Sequence, residues 1–302
     1  MRASPVGTDG EGLTVVVNPS AGPALKSAPT EVLREGLPKA DIVELEDPGD
    51  LTEALEKAVS AGARALGVSG GDGSVNAAAT VAIREGLPLL VVPGGTLNHL
   101  AKALGLDSAD DSVEAVRAGG ITSVDVGRAE DRLFLNTASI GAYVRLVDRR
   151  EDLEGRIGKW PAFVVAFFSV LFRSDAVEVE IDGELKKVWL IFFGNCQYTP
   201  GGVAPRERTD LADGLIDVRM LEARRGWSKF RLIRAALTGR MTRVHSYKER
   251  TTDHVKIRFA GGEARFSVDG ETYDASRAFD VTKTPKALEV IVAKPGAPVS
   301  FR

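Results

Sequence analysis

A glycine-rich stretch in the first third of the chain combines residue types that suit phosphate binding with an acid that does not. Residues 67–76 read GVSGGDGSVN, with Asp72 at the centre. Glycine lets a backbone approach a phosphate closely, and the N–H groups that open a helix attract an anion. A carboxylate suits such a place if a Mg²⁺ lies between it and the phosphate, or if it accepts a proton from an attacking hydroxyl. The alternative is that Asp72 only caps a helix that begins at Ser74.

Two more turns of the same kind flank this stretch, NPSAGP at 18–23 and PGGTLN at 93–98. All three follow runs typical of strands, and loops at the carboxyl ends of parallel strands face one ligand-binding crevice. The chain has no GxxxxGK[ST] motif and no GxGxxG at its first strand-to-helix turn, which excludes the usual P-loop and dinucleotide fingerprints. The pattern indicates a nucleotide held in another way.

The first 125 residues alternate strand and helix patterns, which predicts an α/β domain whose parallel sheet has helices on both faces. Predicted strands are LTVVVNP, ADIVELE, ARALGVSG and PLLVVPGG, and predicted helices are PALKSAPTEVLREG, DLTEALEKAVSAG and SVNAAATVAIREG. In the second of these helices, Asp50 and Glu53 have the spacing of a capping box.

From about residue 126 the pattern becomes mostly β, which predicts a sandwich or distorted barrel. Predicted strands are RLFLNTASIG, AVEVEIDG, KKVWLIFFGN, LIDVRMLE, HVKIRFAG, ARFSVDG and ALEVIVAK, with helices near 159–173 and 227–239. We expect residues 1–11 to be a disordered tail, 12–125 the nucleotide-binding α/β domain, and 126–302 a β-rich substrate domain.

Composition narrows the class of protein. The chain has 302 residues, 44% of them hydrophobic, and one cysteine, which suits a cytoplasmic, reducing compartment. Its start lacks the apolar core of a signal peptide. The longest apolar run, residues 160–172, is shorter than the roughly 20 residues of a spanning helix. It indicates a buried helix, or one that lines a lipid pocket or touches a membrane.

Charge is unevenly distributed along the chain. Residues 1–125 contain 9 Lys+Arg against 18 Asp+Glu, whereas residues 126–302 contain 30 against 24. Basic residues concentrate at 145–159, ahead of the apolar run, and at 224–250, a segment with nine Lys+Arg, one acid and Trp227. A basic amphipathic helix with Trp is typical of an anionic membrane surface, although it also fits a solvated helix over the sandwich. Nucleic-acid binding lacks a recognised module.

GGDGSVN followed by PGGTLNHLAKALG resembles the diacylglycerol kinase catalytic-domain family of lipid kinases, which is related to sphingosine, ceramide and NAD kinases. The resemblance extends from about Val15 to Val292 and includes VVNPSAG, FLNTASIG at 134–141, DLADGLIDV at 210–218 and VDGE at 268–271. It implies an enzyme that transfers the γ-phosphate of ATP to a lipid hydroxyl, most simply that of diacylglycerol, with Mg²⁺ and a peripheral membrane location. The alternatives are a kinase of a soluble substrate such as NAD and a catalytically inactive nucleotide- or lipid-binding sensor.

The resemblance also assigns residues by position. The nucleotide cradle would be Asn18, Pro19, Ser20, Gly70, Gly71, Asp72, Gly73, Ser74, Asn76, Gly94, Gly95, Thr96 and Asn98. Asp269 matches the proposed proton acceptor, with Glu271 beside it, whereas sphingosine kinases give that role to the aspartate matched by Asp72. Asp213 matches a magnesium ligand, with main-chain oxygens expected from Asp210 and Leu215.

The chain departs from the family pattern at three places. His99 follows PGGTxN where an aspartate is common, GGDGS replaces GGDGT, and Leu45 or Glu46 stands in place of a threonine. Histidine is a poor ligand for the hard Mg²⁺ ion, so any carboxylate network there must be smaller or rearranged. Alternatively, His99 is simply a residue in the first turn of a helix.

Overall fold

The computed structural model describes residues 2–18, 29–95, 98–141, 176–199, 207–208, 210–223, 244–261 and 264–293. The chain forms two compact units. The first comprises residues 1–126, 210–212 and 285–302, and the second comprises residues 127–209 and 213–284. The first unit thus includes two segments that the sequence assigns to the second domain. Segment 285–302 belongs there because its strand pairs with the strand around Leu89.

The first unit is an α/β domain, as predicted. Its strands are β1 (Arg2–Ala3), β2 (Leu13–Val17), β3 (Asp41–Glu44), β4 (Ala65–Gly70), β5 (Leu89–Pro93), most of β6 (Gly120–Ala129) and the end of the last strand, β18 (Ala278–Val292). Its helices are α1 (Pro29–Gly36), α2 (Leu51–Ser60), α3 (Asp72–Glu85), α4 (His99–Ala103) and α5 (Ala109–Ala118), with a 3₁₀ helix at Pro48–Asp50.

The parallel strands of this unit run in the order β3-β2-β4-β5-β18. Every residue of β2, β4 and β5 is buried, as expected of strands covered on both faces. Helix α1 packs against α5, and α2 packs against α3. The buried residues of α2 are Leu51, Leu55 and Ala58.

The predicted disordered tail is wrong for the described residues of that segment. Strand β1 pairs antiparallel with Gly120–Ile121, and the Ser4 N–H donates to the Gly119 carbonyl at 3.1 Å. Val6 is buried. Main-chain hydrogen bonds and one apolar anchor therefore hold a segment whose short, polar sequence shows no strand pattern.

The second unit is a β-rich sandwich domain, as predicted. Its strands are β7 (Arg132–Phe134), β8 (Thr137–Gly141), β9 (Val177–Ile181), β10 (Glu184–Asn195), β11 (Tyr198–Thr199), β12 (Glu207–Arg208), β13 (Ile216–Glu222), β14 (Tyr247–Thr252), β15 (His254–Phe259), β16 (Arg265–Val268), β17 (Glu271–Asp274) and the start of β18. The predicted helices near 159–173 and 227–239, and the basic and apolar segments around them, lie outside the described residues.

Strand β10 organises the second unit. It pairs with β13 along one edge and with β9 and then β8 along the other, all antiparallel. The path continues through β16 and β17 from β8, and through β15 and β18 from β9. The core beneath these strands includes Phe134, Phe193 and Phe266, each almost fully buried. In the part of the chain described, no helix is long and apolar enough to cross a bilayer.

The capping box predicted at Asp50 is wrong, and one occurs at Ser108 instead. Asp50 closes the preceding 3₁₀ helix with helical backbone angles (φ −82°, ψ 0°), and its side chain makes no capping bond. A side-chain cap needs an extended backbone. Ser108 is extended, and its Oγ accepts the Asp111 N–H at 3.2 Å while the Asp111 carboxylate accepts the Ser108 N–H at 2.8 Å.

We predict that Ser108→Ala lowers the free energy of unfolding by about 1 kcal/mol, because helix α5 loses its cap. The matched control is Asp50→Ala, which removes no capping bond and only a weak interaction with the helix dipole, at most about 0.5 kcal/mol. Urea denaturation of both variants measures the difference. Equal losses in the two variants would contradict the assignment.

Candidate active site

Three loops start side by side at one edge of the first unit's sheet. Asn18 follows β2, Gly71 follows β4 and Gly94 follows β5. Parallel register aligns Val17 with Ser69 and Gly70 with Pro93. The three predicted phosphate-binding turns therefore begin where strand register requires, next to one another.

Glycine is needed where two of these loops meet. The Gly94 N–H donates to the Gly70 carbonyl at 3.2 Å. A Cβ on Gly95 would lie 2.6 Å from the Gly71 Cα, and one on Gly94 would lie 2.8 Å from the Gly70 nitrogen. Both distances are shorter than Cβ contacts allow. The loops thus pack backbone against backbone, and this contact accounts for Gly94 and Gly95 independently of any phosphate.

Helix α3 begins directly after this contact. Gly71 is its N-cap in an extended conformation, and the Val75 N–H donates to the Gly71 carbonyl at 3.0 Å. The Ser74 hydroxyl accepts a hydrogen bond from the Asn18 side chain at 3.1 Å, which joins the first and second loops. The first N–H groups of a helix lack partners within the helix and attract anions. This edge can therefore receive a phosphate group.

Asp72 is the first residue of α3, and its carboxylate reaches the start of α4. Oδ1 accepts the His99 N–H at 3.0 Å. Asn98 takes a left-handed conformation (φ 50°), and its side chain bonds to the N–H and carbonyl of Gly95 at 2.8 and 2.7 Å. The idea that Asp72 caps a helix beginning at Ser74 is wrong, since α3 begins at Asp72. His99 is a first-turn helix residue, as the alternative predicts.

The remaining cradle residues divide into two groups. Gly73 and Asn76 lie in the first two turns of α3, and the Asn76 carbonyl accepts the Thr80 hydroxyl at 3.0 Å. Pro19, Ser20 and Thr96 lie outside the described residues. Described contacts therefore join Asn18 with Ser74, Gly70 with Gly94, Gly71 with Gly95, and Asp72 with His99.

Asp269 is held by three main-chain donors of the second unit. Its Oδ2 accepts the Leu135 N–H at 2.8 Å, and its Oδ1 accepts the Asn136 and Thr137 N–H groups at 2.9 Å each. Its own N–H donates to the Thr137 carbonyl at 2.8 Å. A carboxylate offers about four acceptor positions, so three structural bonds fix it firmly. Asp269 thus anchors the segment 135–137, whatever its part in chemistry.

The same segment is held from its other side by Arg208, which sequence reasoning missed. The buried Arg208 guanidinium donates to the Leu135 carbonyl at 2.6 Å and to the Asn136 side-chain oxygen at 2.9 Å. It also lies over the Tyr198 ring, 5.3 Å from the centroid. The FLNTASIG motif marks the segment, but nothing in the sequence indicates which distant arginine binds it.

Glu271 lies near Asp269 on strand β17 but is exposed. It accepts a hydrogen bond from the Tyr273 hydroxyl, and the Arg132 guanidinium lies over the Tyr273 ring at 3.6 Å. Burial, with the hydrogen bond to Glu271, raises the pKa of Tyr273 to about 12. Tyr273 is therefore a neutral donor at physiological pH, and it orients the Glu271 carboxylate.

Two predicted metal-ligand groups, the Asp213 carboxylate and the Leu215 main-chain oxygen, already accept main-chain N–H groups. So does the Asp210 side chain, although the ligand expected from Asp210 is its main-chain oxygen. Asp210 Oδ1 accepts the Ala212 N–H at 2.7 Å. Asp213 accepts the Gln197 N–H at 2.7 Å and the Leu215 N–H at 2.8 Å, one on each oxygen. The Leu215 carbonyl accepts the Cys196 N–H at 3.0 Å.

A buried lysine lies beside Asp213. The Lys283 Nζ is 4.0 Å from Asp213 Oδ1 and donates to the Asn195 side-chain oxygen at 2.6 Å and to the Cys196 sulfur at 3.1 Å. Burial raises the pKa of the Cys196 thiol to about 11, against the opposing effect of the Lys283 charge. Mg²⁺ requires an octahedron of oxygens close around it and does not bind thiol sulfur. Of the groups beside Asp213 in the second unit, the Cys196 sulfur and the Lys283 ammonium are not magnesium ligands.

Comparison with known proteins agrees with this arrangement. The family model of the diacylglycerol kinase catalytic domain matches residues 12–129, and that of the YegS C-terminal NAD kinase beta sandwich-like domain matches residues 143–292. The chain thus combines a diacylglycerol kinase catalytic domain with a YegS C-terminal NAD kinase beta sandwich-like domain. The match to the catalytic domain covers all three glycine loops of this chain, and the match to the C-terminal domain covers Arg208, Asp213, Asp269 and Lys283.

Individual members of the family align over much of the chain. A diacylglycerol kinase of Mycobacterium tuberculosis is 25% identical over 303 residues, covering 94% of this chain and 96% of that protein. A diacylglycerol kinase of Bacillus subtilis is 27% identical over 234 residues, covering 74% and 76%. A solved diacylglycerol kinase structure from Bacillus anthracis covers 94% of this chain and 97% of that one, with 20% identity and a TM-score of 0.67, which supports the fold alone.

The loop contact makes a prediction about stability. Gly95→Ala should lower the free energy of unfolding by about 1–3 kcal/mol, because the new methyl group overlaps the Gly71 backbone. In the control Gly71→Ala, the Cβ meets only the Gly95 Cα at 3.8 Å, an ordinary contact. That variant should lose less than about 1 kcal/mol, the cost of an alanine N-cap. Chemical denaturation compares them, and a harmless Gly95→Ala would refute the packing argument.

Asp269→Asn should destabilise the second unit by about 1–3 kcal/mol, because an amide nitrogen would face main-chain donors and leave a buried N–H unpaired. Glu271→Gln is the matched control, since the Glu271 side chain is exposed. We expect it to change stability by less than about 0.5 kcal/mol. Thermal and urea denaturation give both values. An Asp269→Asn variant as stable as the parent would show that the three bonds are dispensable.

Proposed function

We propose that this protein is a lipid kinase that transfers the γ-phosphate of ATP to a lipid hydroxyl, most simply that of diacylglycerol, giving phosphatidic acid. The observation that carries the proposal is the match of the diacylglycerol kinase catalytic domain to residues 12–129. That range contains the three adjacent loops and the start of α3, where a phosphate group can bind.

The first unit would bind the nucleotide. Backbone N–H groups at the start of α3, within Gly71–Ser74, would face the phosphates, and Asn18 would hold the Ser74 hydroxyl in place. The Asn98 side chain fixes the third loop through Gly95. The chain has no P-loop lysine, and main-chain dipoles alone do not offset the negative charge of a triphosphate. ATP would therefore enter as its magnesium complex, in which the ion offsets much of the phosphate charge.

The chemistry requires a proton acceptor for the lipid hydroxyl. When the hydroxyl oxygen attacks the γ-phosphorus, its proton passes to a carboxylate and ADP leaves. Asp72 and Asp269 are the two candidates. Asp72 also lies at the first turn of α3, where it would orient the magnesium complex of ATP, whereas three hydrogen bonds position Asp269. Glu271, held by Tyr273, would support Asp269.

A lipid substrate remains in its bilayer, so the enzyme must reach the surface. The net positive charge of residues 126–302 supports a peripheral association with anionic lipid. Each basic residue close to such a surface contributes on the order of 1 kcal/mol. A handful of such basic residues would hold a cytoplasmic enzyme reversibly at the membrane surface.

A soluble acceptor such as NAD is the second candidate function. One observation favours it, the description of the C-terminal family model as an NAD kinase beta sandwich-like domain. A nucleotide acceptor would not require an anionic membrane. The two functions therefore differ in their need for vesicles.

We predict that the protein phosphorylates diacylglycerol in mixed vesicles containing an anionic phospholipid, with radiolabelled ATP and Mg²⁺. Chelator should abolish the reaction and Mg²⁺ restore it. Parallel reactions contain ceramide, phosphatidylglycerol or NAD as acceptor. Label on NAD alone would favour the second candidate. If none of the acceptors becomes labelled, both kinase functions are refuted.

The matched variants are Asp72→Asn and Asp50→Asn, each an aspartate at the start of a helix in the first unit. Asp72→Asn should lower kcat/KM by about 10²–10⁴-fold, the usual contribution of a general base or a metal-orienting acid. Asp50→Asn should leave the rate unchanged. Calorimetric titration with Mg²⁺-ATP distinguishes the roles of Asp72, because only a phosphate-orienting residue weakens nucleotide binding. Normal turnover by Asp72→Asn would exclude it from the site.

A further inference from the structure

Lys283 is completely buried in the second unit, with 0% of its side chain exposed. Its ammonium donates to the Asn195 side-chain oxygen and the Cys196 sulfur, and it lies 4.0 Å from the Asp213 carboxylate. A charged group is rarely buried without such compensation, because desolvation disfavours it strongly. A lysine at this depth is therefore a component of the site around Asp213.

The sheet fixes where the ammonium sits. The Lys283 N–H donates to the Asp253 carbonyl at 2.9 Å, and the preceding Thr282 pairs with His254 in the antiparallel pair of β15 and β18. From this backbone position the four-carbon side chain extends to Asn195 and Cys196. Two neighbouring residues at the end of β10 hold its tip, so the charge has a defined place.

We propose that the Lys283 ammonium is an internal cation that stabilises the turn Asp213–Leu215 in place of the divalent ion assigned there by resemblance. The turn carries a carboxylate that accepts N–H groups from Gln197 and Leu215. Such a carboxylate gains from a nearby positive charge, and Lys283 supplies one.

The donor set around Lys283 suits an ammonium better than a divalent ion. An amide oxygen and a thiol sulfur are both acceptors for N–H donors, and an ammonium has three. Sulfur is not a ligand for Mg²⁺ or Ca²⁺, and a fixed positive charge repels either ion. Lys283 thus occupies the position and excludes a divalent ion from it.

The proposal is tested on the protein without nucleotide or lipid, so its outcome does not depend on the proposed kinase activity. Thermal denaturation is measured in chelator, in millimolar Mg²⁺ and in millimolar Ca²⁺. We expect the same Tm in all three. After gel filtration in metal-free buffer, elemental analysis should find well below one divalent ion per chain.

Lys283→Met keeps the unbranched side chain but removes the charge. Its Tm should fall by roughly 5–10 °C, because the carboxylate loses its buried partner. Lys248→Met is the control, since Lys248 is an exposed lysine on β14 of the same unit, and it should change the Tm by less than about 1 °C. A Lys283→Met variant as stable as the control would overturn the proposal.

A double variant keeps the test valid if Lys283→Met does not fold. Combining Lys283→Met with Asp213→Asn removes both charges, and it should recover part of the lost Tm because the Asp213 carboxylate is no longer left without its cation. A parent protein whose Tm rises saturably with Mg²⁺, with the rise absent in Asp213→Asn, would overturn the proposal. One tightly held divalent ion per chain would do the same.

Discussion

Direct backbone contact between the loops after β4 and β5 is the constraint on which the candidate nucleotide site depends. Gly95 lies so close to Gly71 that a Cβ on Gly95 would overlap the Gly71 Cα. That contact brings Asn98 and His99 close to the start of α3, so the Asp72 carboxylate can accept the His99 N–H. The position of the acid and the presence of Gly94 and Gly95 therefore have one cause, and the proposed phosphate binding would use a geometry that packing already imposes.

The acids singled out by their motifs also hold the architecture together. Asp72 joins two helices, Asp269 anchors the segment 135–137, and Asp213 joins the turn 213–215 to Gln197. Each does so by accepting main-chain N–H groups, a bond in which an ionised acceptor is strong. A carboxylate held in this way is well oriented for chemistry. Because these carboxylates also make structural hydrogen bonds, a variant that loses activity identifies a catalytic group only if its stability has been measured too.

Sequence patterns predicted what local physics determines. Continuous apolar runs identified buried strands such as Leu89–Pro93, and glycine motifs located the loops that follow. Patterns failed where the neighbouring structure overrides a local preference. Asp50 was predicted to cap α2, but its backbone belongs to the preceding 3₁₀ helix. They could not predict the partners of Arg208 or Lys283, because those contacts join residues far apart in the chain and depend on strand register.

The last strand, β18, has a consequence for how the protein is made. Its pairing of Val290 with Leu89 joins residues separated by roughly two-thirds of the chain. During synthesis, the edge of β5 remains without this neighbour until residues 285–292 have emerged from the ribosome. Contacts so distant in sequence form slowly, and an open strand edge invites association with other chains. The first unit is thus among the first parts to be translated and among the last to be completed.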